Sequence, residues 1–148
     1  MKIESNKLID DLISRTKENL NKAEALKQKD FSLLNYKVNP ETWSALECIE
    51  HLNLYGDFYL PEIKQRINNS SYKNPAPVFS SGKILGNYFA KSMLPKEKLN
   101  KMKTFKDKNP AGSKLGIDTI EKFINQQKTN SFTQFFINII QDAAVINN

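Results

Sequence analysis

The sequence predicts an all-α protein, a bundle of long helices joined by at least one long crossover connection, and three observations carry that prediction. Apolar residues recur at three- and four-residue steps over three long stretches of the 148-residue chain. No segment alternates polar and apolar residues over strand length, so no sheet is expected. The stretches between the helical ones are long, whereas an up-and-down meander would need short hairpin loops.

The first helix is expected from Ile3 to about Lys29, where Ile9, Leu12, Ile13, Leu20, Ala23 and Leu26 form an apolar stripe among Lys, Glu, Asp and Asn. Asp30 to Thr42 loses this period and contains Asn39-Pro40, whose proline biases the preceding residue away from helix; it is expected to be an ordered connector. The second helix has a well-marked start. Ser44 can cap it, Glu47 can return the hydrogen bond to the Ser44 amide, and Trp43 and Cys48 have the spacing of a hydrophobic staple. Leu46, Ile49, Leu52, Tyr59, Leu60, Ile63 and Ile67 then make an apolar stripe, weakened at Gly56. Pro61 deprives the Asp57 carbonyl of its donor, which predicts a kink and an end by about Asn69.

Turn formers fill Asn68 to Ser81, and a shorter helix is expected from Gly82 to Met93. A Lys-rich stretch runs on through Asn109-Pro110-Ala111-Gly112. From about Leu115 to Ala143 helical spacing resumes, with Ile117, Ile120, Phe123, Ile124, Phe132, Phe135, Phe136, Ile139 and Ile140; a disturbance is expected near Asn130-Ser131. Residues 1–148 are read as one domain, without internal repeats, and with 39% hydrophobic residues, nine Phe and five Tyr it can build a substantial core.

The net charge of +6 is unevenly placed, for residues 91 to 108 hold Lys91, Lys96, Lys98, Lys101, Lys103, Lys106 and Lys108 against Glu97 and Asp107. Nucleic-acid binding modules usually add Arg, stacking aromatics or a recognition helix to such a segment. Phe105 is the only aromatic in this one, so a solvated face is expected rather than a nucleic-acid interface. The single Cys48 excludes an intrachain disulfide, and MKIESNKLID carries charges where a signal peptide needs an apolar core, so a reducing cytoplasm is expected. The apolar clusters Phe135-Phe136-Ile137 and Ile139-Ile140 fall short of the ~20 residues of a membrane span, and no membrane partner is expected.

Chemistry has few places to reside. His51 is the sole histidine, one turn after Glu47, three residues after Cys48 and four before Tyr55. It reads either as a metal ligand or general base, or as a histidine at the helix border bonded to a neighbour. The second is favoured by count, since a catalytic zinc wants about three protein ligands. A Cys48–His51 metal pair lacks a second cluster to close its shell, and Cys48, beside Ile49 and Leu52, is expected to be a core residue. SSGKILG at Ser80 to Gly86 lacks the spacing of a phosphate loop and is better read as a helix cap. Glu47, Glu50, Asp57 and Glu62 are spread around one helix with nothing to pair them for hydrolysis. Phe132, Phe135, Phe136 and Ile139 read as bundle core, not as an aromatic cage.

The segments NPETWSALECIEHL and, later, KMKTFKDKNP, set between helices in this order, resemble the DinB-like superfamily, in which a W-S-x-x-E-x-x-x-H-L helix start is characteristic. The resemblance covers nearly the whole chain, and Trp43 to Leu52 give it most of its specificity. It implies a four-helix bundle with up-down-down-up topology. It also implies a place for His51 as the first of three ligands to a divalent metal such as Zn, Ni, Fe or Mn, and an activity like that of metal-dependent hydrolases or thiol transferases. The family's other two histidines lie in a His-x-x-x-His on the last helix, and nothing after His51 matches them. Two explanations compete, a last helix missing or shortened, which is favoured, and a member that has lost the metal site; metal binding is expected to be weak or absent, with a tendency to form a homodimer. No catalytic residue is assigned. The alternative is a non-catalytic helical bundle that binds a small apolar ligand or a partner helix in the cleft between the first two helices and the last.

Overall fold

A computed structural model describes residues 2–71, 78–80 and 103–129. The described elements are β1 (Lys2–Glu4), α1 (Ser5–Leu26), α2 (Phe31–Asn35), α3 (Ala45–Asn68), β2 (Val78–Ser80), a 3-10 turn (Lys106–Lys108) and α4 (Ile117–Thr129). The helical class holds. The expected Gly82–Met93 helix and everything from residue 130 on, including the Asn130-Ser131 disturbance and the Phe132 to Ile139 group, lie outside the described residues.

Two features depart from the expected helices. The first helix begins at Ser5, because Lys2–Glu4 pairs antiparallel with Val78–Ser80 in the register Lys2↔Ser80, Ile3↔Phe79 and Glu4↔Val78. Three residues are too few to show an alternation, so this ladder leaves no pattern in the sequence. Ser80, read as part of a helix cap, belongs to that strand instead. The connector after α1 also contains a helix of five residues, α2, which brings Leu34 into the core at 2% exposure.

α3 starts as its sequence prescribes. Ser44 Oγ accepts from the Glu47 amide at 3.2 Å and Glu47 Oε2 accepts from the Ser44 amide at 2.9 Å, completing the reciprocal cap. The helix runs through Pro61 as one element and ends at the Asn69 cap.

Its buried seam differs from the expected stripe. Leu46, Ile49 and Asn53 are buried, whereas Leu52 and Tyr59 are half exposed. A seam of Leu46, Ile49, Asn53, Gly56, Leu60, Ile63 and Ile67 follows one line of the helix by steps of three and four, and it passes through a polar residue and a glycine. In the core Asn53 Nδ2 donates to Thr119 O and to Glu50 Oε2, each at 3.0 Å, while its buried Oδ1 meets no partner among the described residues. Gly56 lies where α4 presses closest, since a Cβ there would fall 2.8 Å from Gln126 Cδ. Cys48, expected in the core, is exposed, because it sits a full residue off the seam on the side of Leu52.

The core joins Ala23 of α1, Leu34 of α2, Leu46 and Ile49 of α3, and Ile120, Phe123 and Ile124 of α4, with Leu20, Leu26, Leu115 and Ile117 packed against it. Burying a side chain such as Leu46 or Ile120 contributes about 1.5–3 kcal/mol. Ion pairs Lys27–Glu121 and Lys128–Glu24 tie α1 to α4 at 3.3 and 3.2 Å, at exposed positions where each contributes little. No helix among the described residues is long and apolar enough to cross a membrane.

Candidate functional site

His51 sits on α3, half buried, with Trp43 on one side and Tyr55 on the other; ring centroids are 4.8 and 4.9 Å away. Trp43 precedes the helix cap, and Tyr55 follows one turn later, so the capped helix start itself builds this aromatic slot. Its Nδ1 lies 2.7 Å from the backbone oxygen of Lys108. A carbonyl oxygen only accepts, so Nδ1 donates and in the neutral ring Nε2 keeps its lone pair. The expected border histidine bonded to a neighbour is therefore present, but its partner comes from across the fold, 57 residues on.

The loop that supplies this oxygen is organised by its own sequence. The Lys108 amide donates to Phe105 O at 3.0 Å, and Asn109 Oδ1 accepts from the Ala111 amide at 3.2 Å. The Ser113 amide donates to Pro110 O at 3.0 Å, which closes a turn with Gly112 in third position at φ 81°, a conformation that glycine adopts without strain. Pro110 itself is fully buried.

Glu47 holds the other end of that loop. Its carboxylate is 3% exposed as a residue, and Oε1 accepts from Lys37 Nζ at 2.7 Å and from the Gly112 amide at 3.2 Å. Burial alone would push this carboxyl up. The Lys37 hydrogen bond, the Ser44 and Gly112 amides and the Lys37 charge outweigh it, and hold it below the usual carboxylate range. Glu47 is thus ionised and fully engaged, not a free general base.

Around His51 the surface is aromatic and apolar. Tyr55 stacks on Tyr59 at 5.9 Å, Phe58 meets Tyr59 edge-on at 5.1 Å, and Lys108 Nζ stands 5.4 Å above the Phe58 ring. Leu52, Phe58, Tyr59 and Phe105 are all about half exposed or more, which leaves a largely apolar and aromatic surface beside His51. Cys48 offers no thiolate here. Burial of its sulfur and the Glu47 charge push the thiol up.

The remaining carboxylates read along α3 are individually paired. Glu50 accepts from Asn53, Glu62 pairs with Arg66, and Asp57 takes Lys122 Nζ and Gln126 Nε2, both at 2.7 Å. A wide depression of about 720 Å³ between α3 and α4 is lined by Glu50, Asp57, Asp118, Glu121, Lys114 and Lys122 among others, and His51 takes no part in it. Its charges serve to pair the helices.

A divalent metal is the group the sequence resemblance implies. Metal-bound histidines commonly rest one nitrogen on a carbonyl, as His51 Nδ1 does on Lys108 O. Yet among the described residues no group of three or more His, Cys, Asp or Glu is placed to hold a metal ion. The described residues alone do not supply a three-ligand centre. No protein-family model, curated protein or solved structure matches this chain.

The sequence pointed to His51 and to the Ser44–Glu47 cap. It did not reveal Lys37, the Lys108 carbonyl or the Gly112 amide as their partners. The turn formers Asn109-Pro110-Ala111-Gly112 signalled a fixed loop, though not where it would dock.

Proposed function

We propose that this chain is built on the DinB-like plan and that its His51 face binds a small apolar or aromatic molecule, held by ring contacts and by one hydrogen bond to His51 Nε2. The observation that carries this reading is the Nδ1–Lys108 O hydrogen bond, which sets the neutral tautomer with Nε2 as an acceptor beside Trp43, Tyr55 and an exposed, largely apolar surface. A mostly apolar wall with one placed polar group suits such a ligand. Indole, a flat apolar ring with one N–H donor, is a direct probe. Added at millimolar concentration, it is expected to shift the ring signals of His51, Tyr55 and Tyr59 in NMR spectra. A response spread over the surface without these rings, or no response, refutes the reading.

A second reading is supported by the same hydrogen bond: a divalent-metal-dependent hydrolase or thiol transferase of the DinB-like type, in which His51 Nε2 is one ligand. Only one donor atom is in place, and no reaction step is derived from it. Stoichiometric zinc, nickel, iron or manganese in the purified protein, lost on His51→Ala, would favour this reading over the first.

A further inference from the structure

Glu47 and His51 lie four residues apart on α3, so about 6 Å separates them along the helix axis. Their partners Gly112 and Lys108 are also four residues apart, on one loop. The helix therefore holds the loop at two points, with an acceptor for a loop N–H at Glu47 and a donor for a loop carbonyl at His51. Between those points the loop is closed on itself by Asn109 Oδ1 and by the Pro110–Ser113 turn, and so moves as one piece.

The two oxygens of Glu47 divide the work. Oε2 completes the helix cap by accepting from Ser44, whereas Oε1 takes Lys37 and Gly112 and adds nothing to the cap. A capping residue needs only the first. We infer that Glu47 is a positioning residue for His51: through the Gly112 amide it fixes the loop whose Lys108 carbonyl keeps the imidazole proton on Nδ1 and Nε2 open. The inference rests on the proposed role of the His51 face and names what sets the tautomer of its histidine. Without the Gly112 anchor the Lys108 carbonyl keeps its own 3-10 turn, the Asn109 side-chain bond and the buried Pro110, a looser hold in which the ring can place its proton on either nitrogen.

Because His51 is the only histidine, one pair of imidazole nitrogens reports the tautomer directly in long-range proton–nitrogen NMR spectra. The full chain, at a pH where the ring is neutral, is expected to show Nδ1 protonated and Nε2 bare. Glu47→Ala should move both nitrogens toward averaged values, as the proton distributes between them. Ser44→Ala, which removes the cap partner and leaves Oε1 on Gly112, should lower stability with the ring signals unchanged. A folded Glu47→Ala with wild-type ring signals overturns the inference and leaves the His51 reading intact. If Glu47→Ala does not fold, Gly112→Ala decides. It strains the loop end at φ 81° while Glu47 keeps Lys37 and Ser44, and unchanged ring signals in it overturn the inference equally. A wild-type protein with its proton on Nε2 overturns the inference together with the reading beneath it.

Discussion

Gly56→Ala puts the packing of α3 against α4 to a quantitative test. In a helix interior the change should stabilise by about 1 kcal/mol, through the conformational freedom glycine loses on folding. Here the new methyl would land on the Gln126 amide, 2.8 Å from Cδ and 3.1 Å from Nε2. That amide donates to Asn53 O at 3.1 Å and to Asp57 Oδ1 at 2.7 Å, and a shift of its flexible end to clear the methyl weakens both bonds. A bond to a charged acceptor contributes about 1.5–3 kcal/mol when sheltered. Asp57 is half exposed and keeps Lys122, so about 1–2 kcal/mol is reasonable for the pair. The two effects nearly cancel, and Gly56→Ala should be neutral or destabilising by up to about 1 kcal/mol. In a Gln126→Ala background the clash is gone, and the same change should stabilise by about 1 kcal/mol. Urea unfolding of the four proteins, compared at equal m-values, gives the coupling directly. Equal effects of Gly56→Ala in both backgrounds would refute the close approach of Gln126.

The register of the α3 seam predicts that Leu46→Ala costs about 2–5 kcal/mol, as for a fully buried leucine, whereas Leu52→Ala stays within about 0.5 kcal/mol; equal losses in urea melts would restore the stripe expected from sequence. The Glu47 carboxyl, whose folded-state value lies below its ordinary 4.5, contributes stability that is complete above that value and is lost as pH falls through the folded one. Unfolding free energies measured from pH 7 down to pH 2 should therefore fall less steeply below about pH 4.5 in Glu47→Gln than in the wild type. Parallel curves would contradict the ionised assignment.

How much of this was legible in the sequence depended on whether the cause was local. The α3 start was readable because a capping box needs only residues three apart, and Ser44 and Glu47 supply both halves. The extent of α1 and α3 followed from helical period. The position of the seam did not. Leu52 is more apolar than Asn53, and Tyr59 has far more apolar surface to bury than Gly56, and only α4, whose Thr119 O takes the Asn53 amide and whose Gln126 leans over Gly56, decides otherwise. Cys48 was misplaced for the same reason. The β1–β2 ladder joins segments more than 70 residues apart, a pairing no local pattern can announce.

The site shows the same division, and it explains why the glutamate and the histidine take the order they do. A loop that docks on a helix turns some of its amides and carbonyls toward that helix, and each is met by a partner of the opposite kind. At Gly112 the group to be satisfied is a donor, which a carboxylate meets, and the burial of that carboxylate is offset by Lys37 and by Ser44. At Lys108 it is an acceptor, which a carboxylate would repel and a neutral imidazole satisfies with one nitrogen only. Interchanging the two side chains would set a second acceptor against the Lys108 carbonyl and break the cap at Ser44. The spacing Glu-x-x-x-His thus matches the direction of the docked loop, and the loop engages only one of the two ring nitrogens.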